Sequence, residues 1–203
     1  HRMWSTNPPY SPLELEAFSN LADNMELGSF GAGYVSIAGS LKGWLGSASF
    51  VSNDGIQVGG LFAVNSYGSV VNNETGQFWA ATDETENEFG GMGVPTFAPN
   101  DALSGTAARE TLPGQNTTIG VIATNVKLDS KAAKRIAIMS HSGMSRAIRP
   151  IHSPVDGDVI FVLSTGTLNR ELSLNDVNTI GELGARVCSR SIARGGYEAE
   201  SIL

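Results

Sequence analysis

The chain has 203 residues, 41% of them hydrophobic, which is enough for one substantial core, so we expect a single domain spanning residues 1–203. Its net charge is −7 with only 13 Lys and Arg residues, too few for a surface that binds a phosphate backbone, so nucleic acid is not expected as a partner. The single cysteine, Cys188, excludes an intramolecular disulfide and a cysteine-rich zinc site.

The N-terminal part of the chain predicts a helix after a proline-rich lead-in. Ser11, with Pro12 at the first helical position, marks the start of a helix that is expected to reach about Met25. Its expected apolar side consists of Leu13, Leu15, Phe18 and Leu21. The glycine-rich segment 28–33 is not a dinucleotide fingerprint, because it follows a helix and opens a strand, whereas that fingerprint does the reverse.

Three strand-like runs follow, at residues 30–38, 44–52 and 55–66. The sequence Asn53-Asp54-Gly55 between the last two predicts a hairpin. The first half therefore indicates a helix and an antiparallel meander. Asn65, at the end of the third run, is either a turn residue that bonds its own backbone or an amide donor that faces a cleft.

Residues 72–115 are acidic, contain several Asn and Pro residues, and show little periodicity. A connection this long inside a compact domain should be either functional or disordered. This composition suits a loop that leads to a scissile bond. The triplet Asn73-Glu74-Thr75 is a glycosylation sequon, which matters only in a secreted protein.

The second half predicts strand, helix, strand and helix in turn. A half-buried strand begins at Thr117, and Asp129-Ser130 caps a helix over about residues 131–148. An apolar strand is expected over residues 159–165, and a last helix over about 175–194, ending at two glycines. Together the halves suggest two antiparallel sheets face to face with helices outside. His141 is expected on the helix surface, because its neighbouring serines point in other directions and cannot form a dyad with it.

Thr117 stands at the boundary between the acidic loop and a strand, and two interpretations are open. Threonine is a good strand former, which is sufficient to explain its presence. If the chain is cut between Asn116 and Thr117, however, Thr117 gains a free α-amine. The pKa of such an amine is roughly 7.7–8.0, so it can act as a general base beside the threonine hydroxyl.

Asp156 and Asp158 stand two residues apart, so in an extended segment both carboxylates point to one face. The alternative is an ordinary turn before a strand, where Asp and Gly are common. A calcium loop also begins Asp-x-Asp, but the oxygen ligands it needs further on are replaced here by the apolar residues 159–163. We therefore expect no metal, and no other cofactor.

Residues 116–124 (NTTIGVIAT) and 146–158 (RAIRPIHSPVDGD) resemble the P1 family of self-processing peptidases, also called DmpA-like or S58. That family includes L-aminopeptidase/D-esterases, β-peptidyl aminopeptidases and the endo-type 6-aminohexanoate-oligomer hydrolase that cleaves nylon oligomers. The resemblance runs from about Gly31 to the C-terminus and is most specific over residues 116–165. It implies an α+β fold of the N-terminal-nucleophile type, a four-layer αββα sandwich.

The resemblance also implies a precursor that cuts itself before Thr117, giving an α fragment (1–116) and a β fragment (117–203) with Thr117 as the nucleophile. Asp156 and Asp158 would hold its ammonium or hydroxyl group. Asn65 would donate a hydrogen bond to the oxyanion of the tetrahedral intermediate. The two fragments would stay together, and several such αβ units would form a homo-oligomer.

Lys42 matches the second lysine of a Gly-Lys-Leu-Lys-Gly pattern in the family, while Ser40 occupies the position of the catalytic lysine in the nylon-oligomer hydrolase. A shift of two residues along a strand preserves the face of a side chain. Lys42 is therefore expected either in the same cleft or in solvent. Family members also carry a longer glycine-rich N-terminal region with a tyrosine that lines the site, and no motif identifies Tyr10 with it.

The expected function is hydrolysis of amide bonds in small peptides, amino-acid amides or 6-aminohexanoate oligomers. Two alternatives remain: an acyltransferase of the ornithine acetyltransferase type, and an uncut scaffold or binding domain without catalysis. No run approaches the eighteen or more apolar residues of a membrane span, so no membrane partner is expected. The start lacks the apolar core of a signal peptide, which favours a cytoplasmic protein; a secreted or periplasmic protein is the alternative, because a removed signal peptide leaves no trace.

Overall fold

The computed structural model describes residues 10–22, 24–96, 102–107 and 116–199. The first half of this described part contains α1 (Tyr10–Ser19), β1 (Ile37–Ala38), β2 (Leu41–Lys42), β3 (Trp44–Val51) and β4 (Gln57–Asn65). The second half contains β5 (Thr117–Val126), α2 (Ser130–Ala147), β6 (Val159–Leu168) and α3 (Leu174–Tyr197). Short 3-10 helices lie at Gly31–Gly33 and Trp79–Asp83.

A four-stranded sheet in the order β3-β4-β5-β6 is the centre of the structure. β3 and β4 form the predicted hairpin, and β4 pairs antiparallel with β5. The expectation of purely antiparallel sheets is wrong, because β6 pairs parallel with β5. Parallel strands need a crossover connection, and the 18-residue helix α2 provides it.

Helices α2 and α3 cover one face of this sheet and form the core with it. Alternate residues of the strands point towards the helices, as the period-2 pattern predicted. Asp129 caps α2 through a hydrogen bond from the Ala132 amide, as expected, and Ser173 and Asp176 form a capping box at the start of α3. The buried apolar residues of the core include Phe62, Val64, Ile122, Ile136, Met144, Ile180 and Ile192.

The predicted end of the last helix at Gly195-Gly196 is wrong, because α3 continues to Tyr197. Both glycines lie against Trp44, where a Cβ atom at either position would collide with the indole ring. The Trp44 indole N–H donates to the Ile192 carbonyl oxygen at 2.8 Å. The two glycines therefore permit close packing of α3 on β3 and do not end the helix.

The predictions for the first forty residues are only partly confirmed. Helix α1 begins where expected but ends at Ser19, and it buries none of its residues. Its predicted apolar side is exposed, with between 56% and 75% of the surface of Leu13, Leu15, Phe18 and Leu21 accessible. The strand expected over residues 30–38 is reduced to β1, because Gly31 has a φ of +49° and starts a 3-10 turn instead.

The described part of the acidic segment 72–115 is packed against the domain, so disorder, one of the two expected alternatives, does not apply to it. Phe78 and Phe89 belong to the core and contact each other edge to face, with ring centroids 5.4 Å apart. Glu88 forms an ion pair with Arg190 of α3, and Asp83 accepts a hydrogen bond from Ser189. Part of the negative charge thus anchors the segment to α3. Residues 97–101 and 108–115, which include the stretch before the expected scissile bond, lie outside the described residues.

The face of the sheet opposite the helices is open in the described part of the chain. It carries the apolar side chains of Leu61, Ile119, Phe161 and Leu163, between 38% and 57% exposed. The described residues thus form two of the four expected layers, one helix layer and one sheet. No helix within them is long and apolar enough to cross a membrane.

Candidate active site

Thr117 and Asn65 lie side by side at one end of the open face. Thr117 is the first residue of β5, and it pairs directly with Asn65, the last residue of β4. Residues opposite each other in an antiparallel pair point to the same face of the sheet. The predicted nucleophile and the predicted oxyanion donor are therefore neighbours.

The carbonyl oxygen of Asn116 accepts two hydrogen bonds. The Thr117 hydroxyl donates one at 2.6 Å, and the Gly157 amide donates the other at 2.9 Å. Asn116 also forms an isolated parallel bridge with Asp156, which brings the Asp-Gly-Asp turn beside the start of β5. A threonine hydroxyl thus lies against the carbonyl group of the preceding residue, and a backbone amide holds the oxygen of that group.

Gly157 is required by this close approach. A Cβ atom at position 157 would lie 2.8 Å from the Thr117 hydroxyl oxygen, closer than real Cβ contacts. The Thr117 side chain therefore occupies the space that a side chain at position 157 would need. The glycine of the Asp-Gly-Asp motif has a role at the site in addition to its two acidic neighbours.

The Asp156 carboxylate anchors the turn. One of its oxygens accepts from the Tyr67 amide at 3.1 Å, just after β4. The other accepts from the amide and the hydroxyl of Ser153, at 3.0 Å and 2.6 Å. Three donors therefore fix this carboxylate, and they tie the turn to the end of the strand that carries Asn65.

The Asp158 carboxylate is placed differently, one residue beyond Thr117. Its side chain is 1% exposed, and one oxygen accepts from the Thr118 amide at 2.8 Å. The other oxygen lies 2.9 Å from Nδ1 of His152, a residue that the sequence interpretation did not select. Both predicted carboxylates thus flank Thr117, but within the described residues they bind backbone amides around it, while its hydroxyl binds the Asn116 carbonyl.

His141 continues this chain of contacts. Its Nδ1 lies 3.3 Å from Nε2 of His152, so the expected surface histidine has a specific partner from outside its helix. Burial lowers the pKa of His141, and the neighbouring His152 lowers it further, while Asp158 acts in the opposite direction. The signal for His152 was available in the sequence, because it belongs to the same 146–158 segment as the two aspartates.

Asn65 and Lys42 are linked through β1. The side-chain oxygen of Asn65 accepts from the Ile37 amide at 2.9 Å. Ile37 pairs in turn with Lys42 of β2. The Lys42 Nζ atom is buried, has no hydrogen-bond partner among the described residues, and lies 5.2 Å from the centroid of the Tyr34 ring. The alternative of a solvated lysine is therefore wrong.

The profile of peptidase family S58 matches residues 7–203. The chain belongs to peptidase family S58. It is 36% identical over 193 residues to an uncharacterized aminopeptidase of Mycobacterium tuberculosis, a match that covers 88% of this chain and 55% of the relative. It is also 30% identical over 111 residues to the 6-aminohexanoate-oligomer endohydrolase of Paenarthrobacter ureafaciens, covering 50% of this chain and 31% of that enzyme.

Solved structures show the same fold as this S58 chain. A protein from Pyrococcus horikoshii superposes with a TM-score of 0.62 at 18% identity, covering 93% of this chain and 49% of the other. The L-aminopeptidase D-Ala-esterase/amidase of Ochrobactrum anthropi, a variant of the Ntn-hydrolase fold, gives 0.60 at 20% identity, with 92% and 49% covered. The predicted family and α+β fold class are confirmed. The chain spans about half the length of these relatives, 55% of the mycobacterial one.

Proposed function

We propose that this S58 chain is a self-processing amide hydrolase, cut between Asn116 and Thr117, with Thr117 as its N-terminal nucleophile. The observation that carries the proposal is the geometry at the Asn116 carbonyl. The Thr117 hydroxyl lies 2.6 Å from the carbonyl oxygen, and the Gly157 amide holds that oxygen from 2.9 Å.

Cleavage would begin with attack of the Thr117 hydroxyl oxygen on the Asn116 carbonyl carbon. The carbonyl oxygen becomes an oxyanion that the Gly157 amide stabilises, a contribution of about 2.7–4 kcal/mol for one such donor. The C–N bond then breaks, the hydroxyl proton goes to the leaving amine, and an ester remains. Water hydrolyses the ester and leaves the Asn116 carboxylate and a free Thr117. Because attack is intramolecular, positioning can supply roughly 7–11 kcal/mol of the barrier.

Turnover of substrate would use the same groups. The new α-amine of Thr117 takes the proton from its own hydroxyl, which attacks the substrate amide. Asn65, on the adjacent strand, donates to the oxyanion, while Asp156 and Asp158 hold the backbone around Thr117. Lys42 pairs with Ile37, whose amide binds Asn65, so the strand that carries Lys42 also helps to hold Asn65 in place.

The substrates we propose are small peptides, amino-acid amides or 6-aminohexanoate oligomers. This follows from relatives named as an aminopeptidase and a 6-aminohexanoate-oligomer endohydrolase. The two fragments would remain one domain, because β4 and β5 stay paired over eight residue pairs across the break. We further propose that these αβ units form a homo-oligomer, as the family resemblance implies.

Intact-mass measurement on matched valine variants tests the proposal. Wild type should give two fragments that meet at Asn116/Thr117, and Thr117→Val should stay a single chain of 21.3 kDa. Thr118→Val is the control, because the Thr118 hydroxyl is buried, has no hydrogen-bond partner among the residues that the structure describes, and valine fills the same space. Thr117→Ser keeps a hydroxyl and should still cut. A Thr117→Val chain cut at the same bond would refute the assigned nucleophile.

A further inference from the structure

We propose that His152 is a positioning residue for self-cleavage, and that the His141–His152 pair makes this step depend on pH. The inference rests on the proposed function, because it concerns the same cut at Asn116/Thr117. It arises from a chain of three side chains, His141, His152 and Asp158, that links the surface of α2 to the amide of Thr118.

Two short contacts connect His152 to the start of β5. His152 Nδ1 lies 2.9 Å from one oxygen of Asp158, and the other oxygen of the same carboxylate accepts from the Thr118 amide at 2.8 Å. The Asp158 side chain is 1% exposed, whereas that of His152 is 42% exposed. A buried carboxylate needs its donors, so loss of His152 would release Asp158 and with it the backbone next to Thr117.

The backbone of His152 supports a role for its side chain. Its φ is +55°, in the left-handed region that glycine and asparagine adopt most readily. A residue other than glycine is uncommon there, although histidine is enriched among those that occur, and such residues concentrate at functional sites. The left-handed turn is what directs the ring back towards Asp158, six residues further along the chain.

The hydrogen bonds among His141, His152 and Asp158 limit how many protons the two histidine rings can hold. With both rings neutral, His141 Nδ1–H donates to His152 Nε2, and His152 Nδ1–H donates to Asp158. One added proton is tolerated by the pair, because the two facing nitrogens still provide one donor and one acceptor. A second proton places two N–H groups and two positive charges against each other across 3.3 Å. The hydrogen bond between His141 and His152 is therefore lost when both rings are protonated.

The other charged groups around the pair have partners of their own. Arg146 on α2 binds Asp83 and Glu182, and Arg149 stacks on the Trp79 ring at 4.4 Å. Asp156 is held by Ser153 and the Tyr67 amide. On α3, burial raises the pKa of Cys188, so it stays a neutral thiol. Asp158 is thus the charge that the histidine pair contacts, and burial together with His152 lowers the pKa of His141.

Two substitutions distinguish the contribution of the His152 side chain from that of its left-handed backbone conformation. His152→Asn keeps a donor close to the position of Nδ1 and accepts the left-handed conformation, but does not titrate. His152→Gly accepts the conformation without any side chain. Asn87→Gly is the control, since Asn87 has a φ of 59° and lies in another loop. Each full chain is produced uncut by cell-free translation, and its conversion to two fragments is followed by mass between about pH 5 and 8.

We expect His152→Asn to cut within about threefold of wild type at pH 8, and His152→Gly to cut at least about tenfold more slowly, as for a lost hydrogen bond to a charged group. The wild-type rate should fall as the pH is lowered through the histidine range, and His152→Asn should lack that fall. Thermal unfolding of each variant reports whether it folds. If His152→Gly does not fold, the inference is tested by comparing the pH profiles of self-cleavage for wild type and His152→Asn.

The outcomes distinguish this inference from the proposed function. If wild type and all variants stay uncut, self-cleavage itself is refuted and the inference with it. If wild type cuts and His152→Gly cuts equally fast, the positioning role is refuted while self-cleavage stands. If His152→Asn shows the wild-type fall in rate at low pH, the histidine pair is not the source of the pH dependence.

Discussion

The two faces of the central sheet differ in role: one forms the buried core with the helices, and the other carries the candidate site. The helix-covered face is sealed, and residues such as Phe62 and Ile122 are 0% exposed there. The open face carries Asn65 and Thr117, with apolar side chains that are about half exposed. Thr117 and Thr118 are chain neighbours on opposite faces. Adjacent residues of one strand therefore have different roles, Thr118 in packing and Thr117 at the candidate site.

The largest effect should come from the sealed face. Phe62→Ala removes a fully buried ring from the core and should lower the free energy of unfolding by about 3–5 kcal/mol. Leu61→Ala, on the open face and 38% exposed, should cost about 1 kcal/mol or less. Denaturant titration of both variants measures the difference. Equal losses would show that the open face is covered in the protein in solution.

Gly157→Ala should affect chemistry more than stability. Its Cβ would lie 2.8 Å from the Thr117 hydroxyl oxygen and displace it from the Asn116 carbonyl. We expect self-cleavage to slow by about a hundredfold, the usual consequence of a misplacement near 1 Å. Gly59→Ala is the control on the same face, because a Cβ there meets no atom of the described part of the chain within 4 Å. Time courses of fragment formation give the rates of both variants. If Gly157→Ala cuts as fast as wild type, the geometry at the Asn116 carbonyl does not support the proposed function.

Asp156→Asn should have an intermediate effect. An amide offers one oxygen where the carboxylate accepts from three donors, so the tie between the turn and Tyr67 weakens. We expect about tenfold slower self-cleavage and about 1–2 kcal/mol lower stability. Asp54→Asn serves as the control, because that side chain is 53% exposed and pairs with Arg170 at the surface. If the two variants behave alike, Asp156 does not contribute to the site.

The smallest effect should be the pH dependence of stability through His141. Burial and His152 hold its pKa below the ordinary value of 6.5 in the folded chain, so the unfolded chain binds the proton first. Its contribution to stability is therefore present above pH 6.5 and is lost as the pH falls below that value. His141→Gln should show a shallower loss of unfolding free energy between about pH 7 and 5. Parallel pH profiles for wild type and variant would contradict this expectation.

The regular half of the fold could be predicted from the sequence because its signals are local. β3, β4 and β5 alternate in polarity, Asp54-Gly55 marks the hairpin, and Asp129 caps α2. The parallel direction of β6 could also be predicted, because a strand, an 18-residue helix and a strand in turn are typical of a parallel crossover unit. The two glycines of α3 resembled a helix end, and only the position of Trp44 explains why they do not end it.

At the candidate site, the residue types could be predicted and their contacts could not. Pattern and family resemblance selected Thr117, Asn65 and both aspartates, and the fold brings them to one end of the sheet. His152 belongs to the same 146–158 segment as both aspartates, but its contact with Asp158 is visible only in the structure. The closeness of Gly157 to Thr117 cannot be predicted from the sequence, because it exists only after β5 and β6 pair.

The place of β5 between β4 and β6 affects how the protein can refold after the cut. Once the Asn116–Thr117 bond is broken, β4 and β5 belong to separate molecules that share the middle of one sheet. Denaturation then yields two polypeptides, and recovery becomes a second-order encounter whose rate scales with concentration. The uncut precursor folds in a first-order reaction, so processing would turn a reversibly folding chain into one that recovers poorly when dilute.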